Sequence, residues 1–177
     1  MHHVLIDTDV ILDSFFNREP FAEFSTAVLN LCEQNKLFGC TTPVIICNVY
    51  YLLSKTAKHQ FVIEKIKQLL GIIEIVKMDR NIVLNALNSE FKDFEDALQN
   101  FSAVEQGRVN IILTRNIKDF SKSELVVLSP ETYLKGVVKG NERFVYFTPN
   151  HKHPNNQQQT YKTKQPTSKT TNHRQLR

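Results

Sequence analysis

Glycine is scarce in this chain, with five among 177 residues. Loops that cradle a nucleotide need clustered glycines so that backbone N–H groups can close on phosphate, so the G-x-G-x-x-G and P-loop patterns are excluded. Tryptophan is absent, and cysteine numbers only three. An odd count with no C-x-x-C pair excludes a disulfide framework and a close-spaced zinc or redox site. Such usage suits a reducing cytoplasm. Cys32, Cys40 and Cys47 each lie among apolar residues, where a free thiol behaves as a small hydrophobe, and all three are read as core. No run approaches the roughly 20 apolar residues that span a bilayer. The first residues lack the basic and then long apolar pattern of an export signal, so a cytoplasmic protein is expected. No histidine stands where it would serve a Ser-His-Asp or His-based nuclease mechanism.

Acid is missing from one end. Beyond Arg143 there are six Lys and Arg residues and no Asp or Glu, which leaves 16 basic against 18 acidic residues up to and including it. The overall charge of +4 therefore hides a near-neutral, slightly acidic body and a basic tail. Mean hydropathy of −0.30 and 41% apolar residues describe a soluble chain with enough material for a core. Residues 1–148 are expected to form one domain and 149–177 a polar, basic tail. The tail is rich in Asn, Gln, Thr, Lys and His and buries too little surface to offset chain entropy, so disorder is expected there. It reads as a solvated extension; its functional alternative is an arm that tethers RNA through salt-sensitive phosphate contacts.

Between these ends the periodicity alternates. Strands are expected at Val4–Asp7, Leu37–Thr41, Ile72–Val76, Val109–Thr114 and Leu125–Leu128. Helices are expected at Pro20–Gln34, from Thr42-Pro43 through Ser54 with Thr42 as N-cap, and at Gln60–Leu70. Further helices fall at Arg80–Ser89, at Phe94–Glu105 with Asp93 as N-cap, and from Pro130 to about Lys135. Glu142–Thr148 reads equally as a further strand or a partner-binding segment. Alternating strands and helices predict an α/β fold with a parallel sheet of about five strands flanked by helices.

Three acid-bearing stretches punctuate this pattern. The first strand ends in Asp7-Thr8-Asp9, the helix after Asp93 opens with Glu95-Asp96, and Leu113 runs into Thr114-Arg115-Asn116-Ile117-Lys118-Asp119. In a parallel sheet all C-terminal strand ends share one side, where open α/β sheets hold ligands. Carboxylates gathered there suit a hard divalent cation such as Mg²⁺, which takes oxygen ligands. Asp93, three residues before Asp96, stands at a natural N-cap position and is read as the helix cap. Glu95 is expected on the surface, and Asp13, nearly two turns along a helix from Asp7, is expected to pair with Arg18 or solvent. Arg115 reads equally as a phosphate contact and a surface salt bridge. Thr8 and Thr114 read equally as phosphate contacts and as partners of backbone groups, and Tyr50 and Tyr51 as core or interface.

These residues resemble the PIN domain, the metal-dependent ribonuclease fold that includes the VapC-type toxins. In Leu5-Ile6-Asp7-Thr8-Asp9-Val10, Asp7 is similar to the family's first acid. Asp96 in Glu95-Asp96-Ala97-Leu98 is similar to the third, and the Thr114-Arg115-Asn116 turn with Asp119 to the closing element. The second acid departs from the pattern: in Thr41-Thr42-Pro43-Val44-Ile45-Ile46-Cys47-Asn48, Asn48 stands where the family usually carries Glu, as in a subgroup with Asn there. The resemblance implies a three-layer PIN-like fold and hydrolysis of RNA phosphodiesters with Mg²⁺ or Mn²⁺. Asp7, Asp96 and Asp119 would bind metal, while Asn48 and Asn116 orient water or phosphate. A divalent ion acidifies its water and stabilises charge on the attacking and leaving oxygens.

The resemblance also implies a toxin with a small antitoxin partner and a homodimer; an RNA-processing role is equally compatible. Two alternatives stand beside it. One is a catalytically degenerate PIN module that binds RNA or protein, since Asn48 and Asn116 bring no charge. The other is a phosphatase similar to the haloacid dehalogenase group, whose Asp-x-Asp signature Asp7-Thr8-Asp9 matches, although Ile11 replaces the Thr or Val expected there.

Overall fold

The structure, a computed structural model, describes residues 1–138. The Glu142–Thr148 segment and the 149–177 tail lie outside the described residues. Five strands, β1 (His3–Ile6), β2 (Phe38–Thr41), β3 (Glu74–Ile75), β4 (Ile111–Leu113) and β5 (Val126–Leu128), form one sheet. Its order is β3-β2-β1-β4-β5 and every pairing is parallel. Among the described residues six helices lie between these strands, α1 (Thr8–Phe16), α2 (Ala22–Glu33), α3 (Pro43–Ser54), α4 (His59–Leu70), α5 (Arg80–Leu87) and α6 (Phe94–Glu105), and α7 (Pro130–Val138) follows β5. The expected α/β fold with a five-strand parallel sheet is what forms.

The central strand shows why the fold has three layers. Val4, Leu5 and Ile6 are all fully buried, as expected of a parallel strand covered on both faces. Successive side chains point to opposite faces. Val4 and Ile6 therefore pack with Val10 and Ile11 of α1, Val28 of α2 and Ile45 and Val49 of α3. Leu5 packs the other way, with Ile112 of β4, Ala103 of α6 and Phe120. Strand β2 approaches α2 so closely that a Cβ on Gly39 would lie 2.6 Å from the Cys32 Sγ. One of the few glycines is spent on that contact.

Local signals set the helix ends. Thr42 caps α3 by accepting the Ile45 N–H at 3.2 Å, with Pro43 in the first turn. Asp93 caps α6, accepting the N–H groups of Glu95 and Asp96 at 2.8 and 3.2 Å. Helix α1 is the element that periodicity did not delimit, because it starts at Thr8 without a loop. The first strand ends one residue earlier than expected, at Ile6, and Asp7 becomes the N-cap of α1. Cys32 and Cys40 are buried as expected, but Cys47 is exposed. In the largely apolar α3 only Ile45, Val49 and Leu53 are buried, and Cys47 falls on another face. Among the described residues, no helix is long and apolar enough to cross a membrane.

Candidate active site

The sheet changes direction at β1, whose chain continues to β2 on one side while β4 pairs on the other. At such a switch the loops leaving neighbouring strands part and leave a crevice beyond their C-terminal ends. A cleft of about 470 Å³ opens there, lined by Asp7, Thr8, Asp9, Asn48, Glu95, Asp96, Gln99, Asn116 and Asp119, with Leu12, Arg18, Tyr51, Leu52 and Asp93 around them. All five residues singled out as catalytic candidates, Asp7, Asn48, Asp96, Asn116 and Asp119, border this one cleft.

Asp7 sits at its floor with 6% of its surface exposed. One carboxylate oxygen accepts the Thr8 N–H at 2.6 Å and the other accepts the Thr114 hydroxyl at 2.8 Å. The Thr114 oxygen in turn accepts the Asn116 N–H at 2.9 Å. This short relay ties β1 to the turn after β4, and it commits Thr114 to positioning Asp7. Burial and then the Asp9 charge push the Asp7 carboxyl up to about 6, against the opposing bonds from Thr114, Thr8 and Gln99.

Asp96 enters from the first turn of α6, half-buried. Burial pushes its carboxyl up to about 7, and the negative charges of Asp7, Asp93, Asp119 and Glu95 add to the shift. Asp119 is exposed at the rim and accepts a hydrogen bond from the Asn116 side-chain amide. Among the described residues, no three His, Cys, Asp or Glu side chains stand in an arrangement that could hold a metal ion. Asp7 and Asp119 are instead turned onto internal donors.

Two features show that the donor set still fits a hard cation. The acids, amides and Thr8 that line the cleft offer oxygen, the chemistry Mg²⁺ and Mn²⁺ take, with Arg18 the cation beside them. Three buried oxygens there also lack a hydrogen-bond partner: Thr8 Oγ1, Asp9 Oδ1 and Gln99 Oε1. Buried polar atoms ordinarily find partners, and acceptors left over around crowded carboxylates are suited to a cation and its waters.

Several expectations are corrected here. Glu95 is not a surface residue: it lines the cleft, and its Oε1 accepts bonds from the Asn48 side-chain amide and from Gln99 Nε2, the latter at 3.2 Å. Asp13 does pair with Arg18, at 3.9 Å as expected, but it is fully buried rather than facing solvent, and Arg115 Nε at 2.9 Å is its closer partner. Arg115 also holds Asp9, through its N–H at 2.9 Å and its guanidinium at 3.5 Å, and stacks over the Phe21 ring. Of its two readings the ion pair is the one that forms, against a buried partner. Tyr51 is 62% exposed at the cleft mouth, with Lys55 Nζ over its ring. Gln99, buried and bordering the floor, carried no motif that pointed to it; its position four residues after Glu95, on the same helix face, was the available signal.

An all-parallel sheet that brings acids from the end of β1, from α6 and from the turn after β4 into one crevice defines an α/β protein with its site beyond the strand ends. The PIN domain profile matches residues 3–118, and the chain belongs to that family. Ribonuclease VapC1 of Aquifex aeolicus (strain VF5) is 32% identical over 135 residues, spanning 73% of this chain and 92% of that protein. Among solved structures, VapBC2 from Rickettsia felis bound to a DNA fragment from their promoter superposes with a TM-score of 0.54 at 18% identity, over 71% of this chain and 97% of the other. A toxin–antitoxin complex from Klebsiella pneumoniae gives a TM-score of 0.53 at 20% identity, over 72% and 97%. These two likenesses bear on the fold. The dehalogenase-like reading is dropped, because Arg115 engages Asp9, which that chemistry needs as a free acid.

Proposed function

We propose that this protein is an endoribonuclease that hydrolyses RNA phosphodiesters with Mg²⁺ or Mn²⁺ and serves as the toxin of a toxin–antitoxin pair. The observation that carries the reading is the convergence of Asp7, Asp96 and Asp119 on one cleft at the sheet's switch point. The 32% identical relative named as a ribonuclease supports the activity. The VapBC2 and Klebsiella complexes support an antitoxin partner through their fold alone. Residues 1–148 would form the nuclease domain in the cytoplasm, pairing as a homodimer, with the basic 149–177 segment as its tail.

Asp7, Asp96 and Asp119 would hold the cation, which supplies charge neutralisation at the phosphate and a more acidic water when bound. Asp7 is kept in place by Thr8 and Thr114, so it presents a fixed carboxylate. The raised proton affinity of Asp96 reflects burial beside uncompensated carboxylates, the charge that a bound cation would offset. Asn48 and Asn116 supply neutral amides that orient substrate oxygens or water. Arg18 and Tyr51 at the mouth are placed to meet phosphate and base.

The degenerate-module alternative keeps one observation in its favour, the neutral Asn48 at the second acid position. Cleavage of a fluorescent RNA by the full chain in Mn²⁺ separates the two. The nuclease reading expects Asp7→Asn, Asp96→Asn or EDTA to lower the rate by about a hundredfold or more. RNA binding without cleavage, indifferent to all three, would establish the binding module.

A further inference from the structure

Asn48 and Glu95 face one another across the cleft and are joined by a hydrogen bond. Asn48 on α3 carries no charge, which by itself leaves Asp7, Asp96 and Asp119 as the acids of the site. Glu95, one residue before Asp96, borders the same cleft. Successive residues of a helix point about 100° apart, so two neighbours reach one ligand only when the helix end faces it. Here the N-terminus of α6 does so, and its dipole favours both carboxylates.

The placement of Glu95 is specific. Two carboxamides close on its Oε1, from Asn48 across the cleft and from Gln99 one turn along α6. A carboxylate only accepts, so each amide must turn its NH₂ toward it. For Gln99 that orientation leaves Oε1 without a partner, in a side chain 1% exposed that lines the cleft. A glutamate at position 48 would have put a second carboxylate against Glu95. The neutral donor at 48 and the acid at 95 are thus complementary halves of one arrangement.

We propose that Glu95 is a metal-ligating carboxylate that replaces the acid absent from position 48, with Asn48 as its positioning residue and Gln99 Oε1 turned toward the same ion or its water. This rests on the metal-dependent reading above. The site then contains four carboxylates, Asp7, Glu95, Asp96 and Asp119, and the acid count of the family is kept by exchange.

Mn²⁺ titration calorimetry on the full chain, with melting in EDTA alongside, tests it without reference to activity. Glu95→Gln keeps an acceptor for Asn48 and Gln99 while removing the charge. It should weaken the Mn²⁺ Kd by about tenfold or more with melting in EDTA unchanged, a loss in the range seen for ligand-sphere changes. The exchange variant Asn48→Glu/Glu95→Gln should recover affinity to within about threefold of the parent. Asn48→Ala, which keeps the charge and frees the side chain, should fall between them and gives a second reading should Glu95→Gln not fold. Parental affinity in Glu95→Gln and in Asn48→Ala would overturn the proposal alone. A parent chain that binds no Mn²⁺ would overturn the metal-dependent reading and the proposal with it.

Discussion

Two groups of acids flank the end of β4, and the chain treats them in opposite ways. Asp9 and Asp13 share Arg115, which spans both and stacks on Phe21, with Arg18 nearby. Asp7, Glu95, Asp96 and Asp119 receive only hydroxyl, amide and backbone donors among the described residues. The first group is a structural ion cluster whose counter-charge comes from the chain itself. The second holds crowded carboxylates with no such counter-charge: burial raises the proton affinity of Asp7 and Asp96, with neighbouring carboxylates adding to it, whereas at Asp9 and Asp13 Arg115 opposes the rise that burial causes. A chain that can neutralise a buried acid with its own arginine, and does so one turn away, leaves the other group to a cation from outside.

The comparison breaks first at low pH. Asp7 and Asp96 titrate near 6 and 7 when folded, above the ordinary carboxylate value near 3.8. A carboxyl whose folded pKa is raised binds protons more tightly in the folded state, so ionising it opposes folding. Stability of the metal-free protein should therefore rise as pH falls from 8 toward 5, by about 3 kcal/mol after discounting the half-exposed Asp96. Urea unfolding in EDTA across that range checks it. Saturating Mn²⁺ should flatten the profile, and Asp7→Asn should reproduce much of the gain at pH 8.

Breaking the self-neutralised group should act in the other direction. Arg115→Ala leaves Asp13 buried without its nearest cation, and the loss should be about 2–3 kcal/mol, below a fully buried pair because Arg115 is itself a third exposed. Thermal melting measures it, and Asp13→Asn in the same background should restore part of the loss. The Asp93 cap is smaller. Asp93→Ala should cost about 1 kcal/mol by freeing the α6 N–H groups of Glu95 and Asp96. A comparable loss, about 1 kcal/mol, should come from Thr114→Val, which removes both the bond to Asp7 and the acceptor of the Asn116 N–H.

Local chemistry explains what could be read beforehand. The apolar run Val4–Ile6, the Thr42-Pro43 start of α3 and the Asp93 cap each act within a few residues, so the strand, both helix starts and the positions of Asp7, Asn48 and Asp96 followed from the sequence. Contacts between distant segments did not. Asp13 meets Arg115 across 102 positions, so nothing in its neighbourhood signals that it is buried. Glu95 was assigned outward because helix periodicity assumes a helix packed along its side, whereas α6 meets the cleft with its end. Cys47 was misread because α3 is largely apolar, and its composition does not choose the buried face.

The most direct test of the account sets the two acid groups side by side in one calorimetric Mn²⁺ titration of the parent, Asp96→Asn and Asp13→Asn chains. The account predicts one saturable Mn²⁺ site in the parent, at least tenfold weaker in Asp96→Asn and unchanged in folded Asp13→Asn. Equal Mn²⁺ affinity in the parent and Asp96→Asn, or a loss confined to Asp13→Asn, would contradict it.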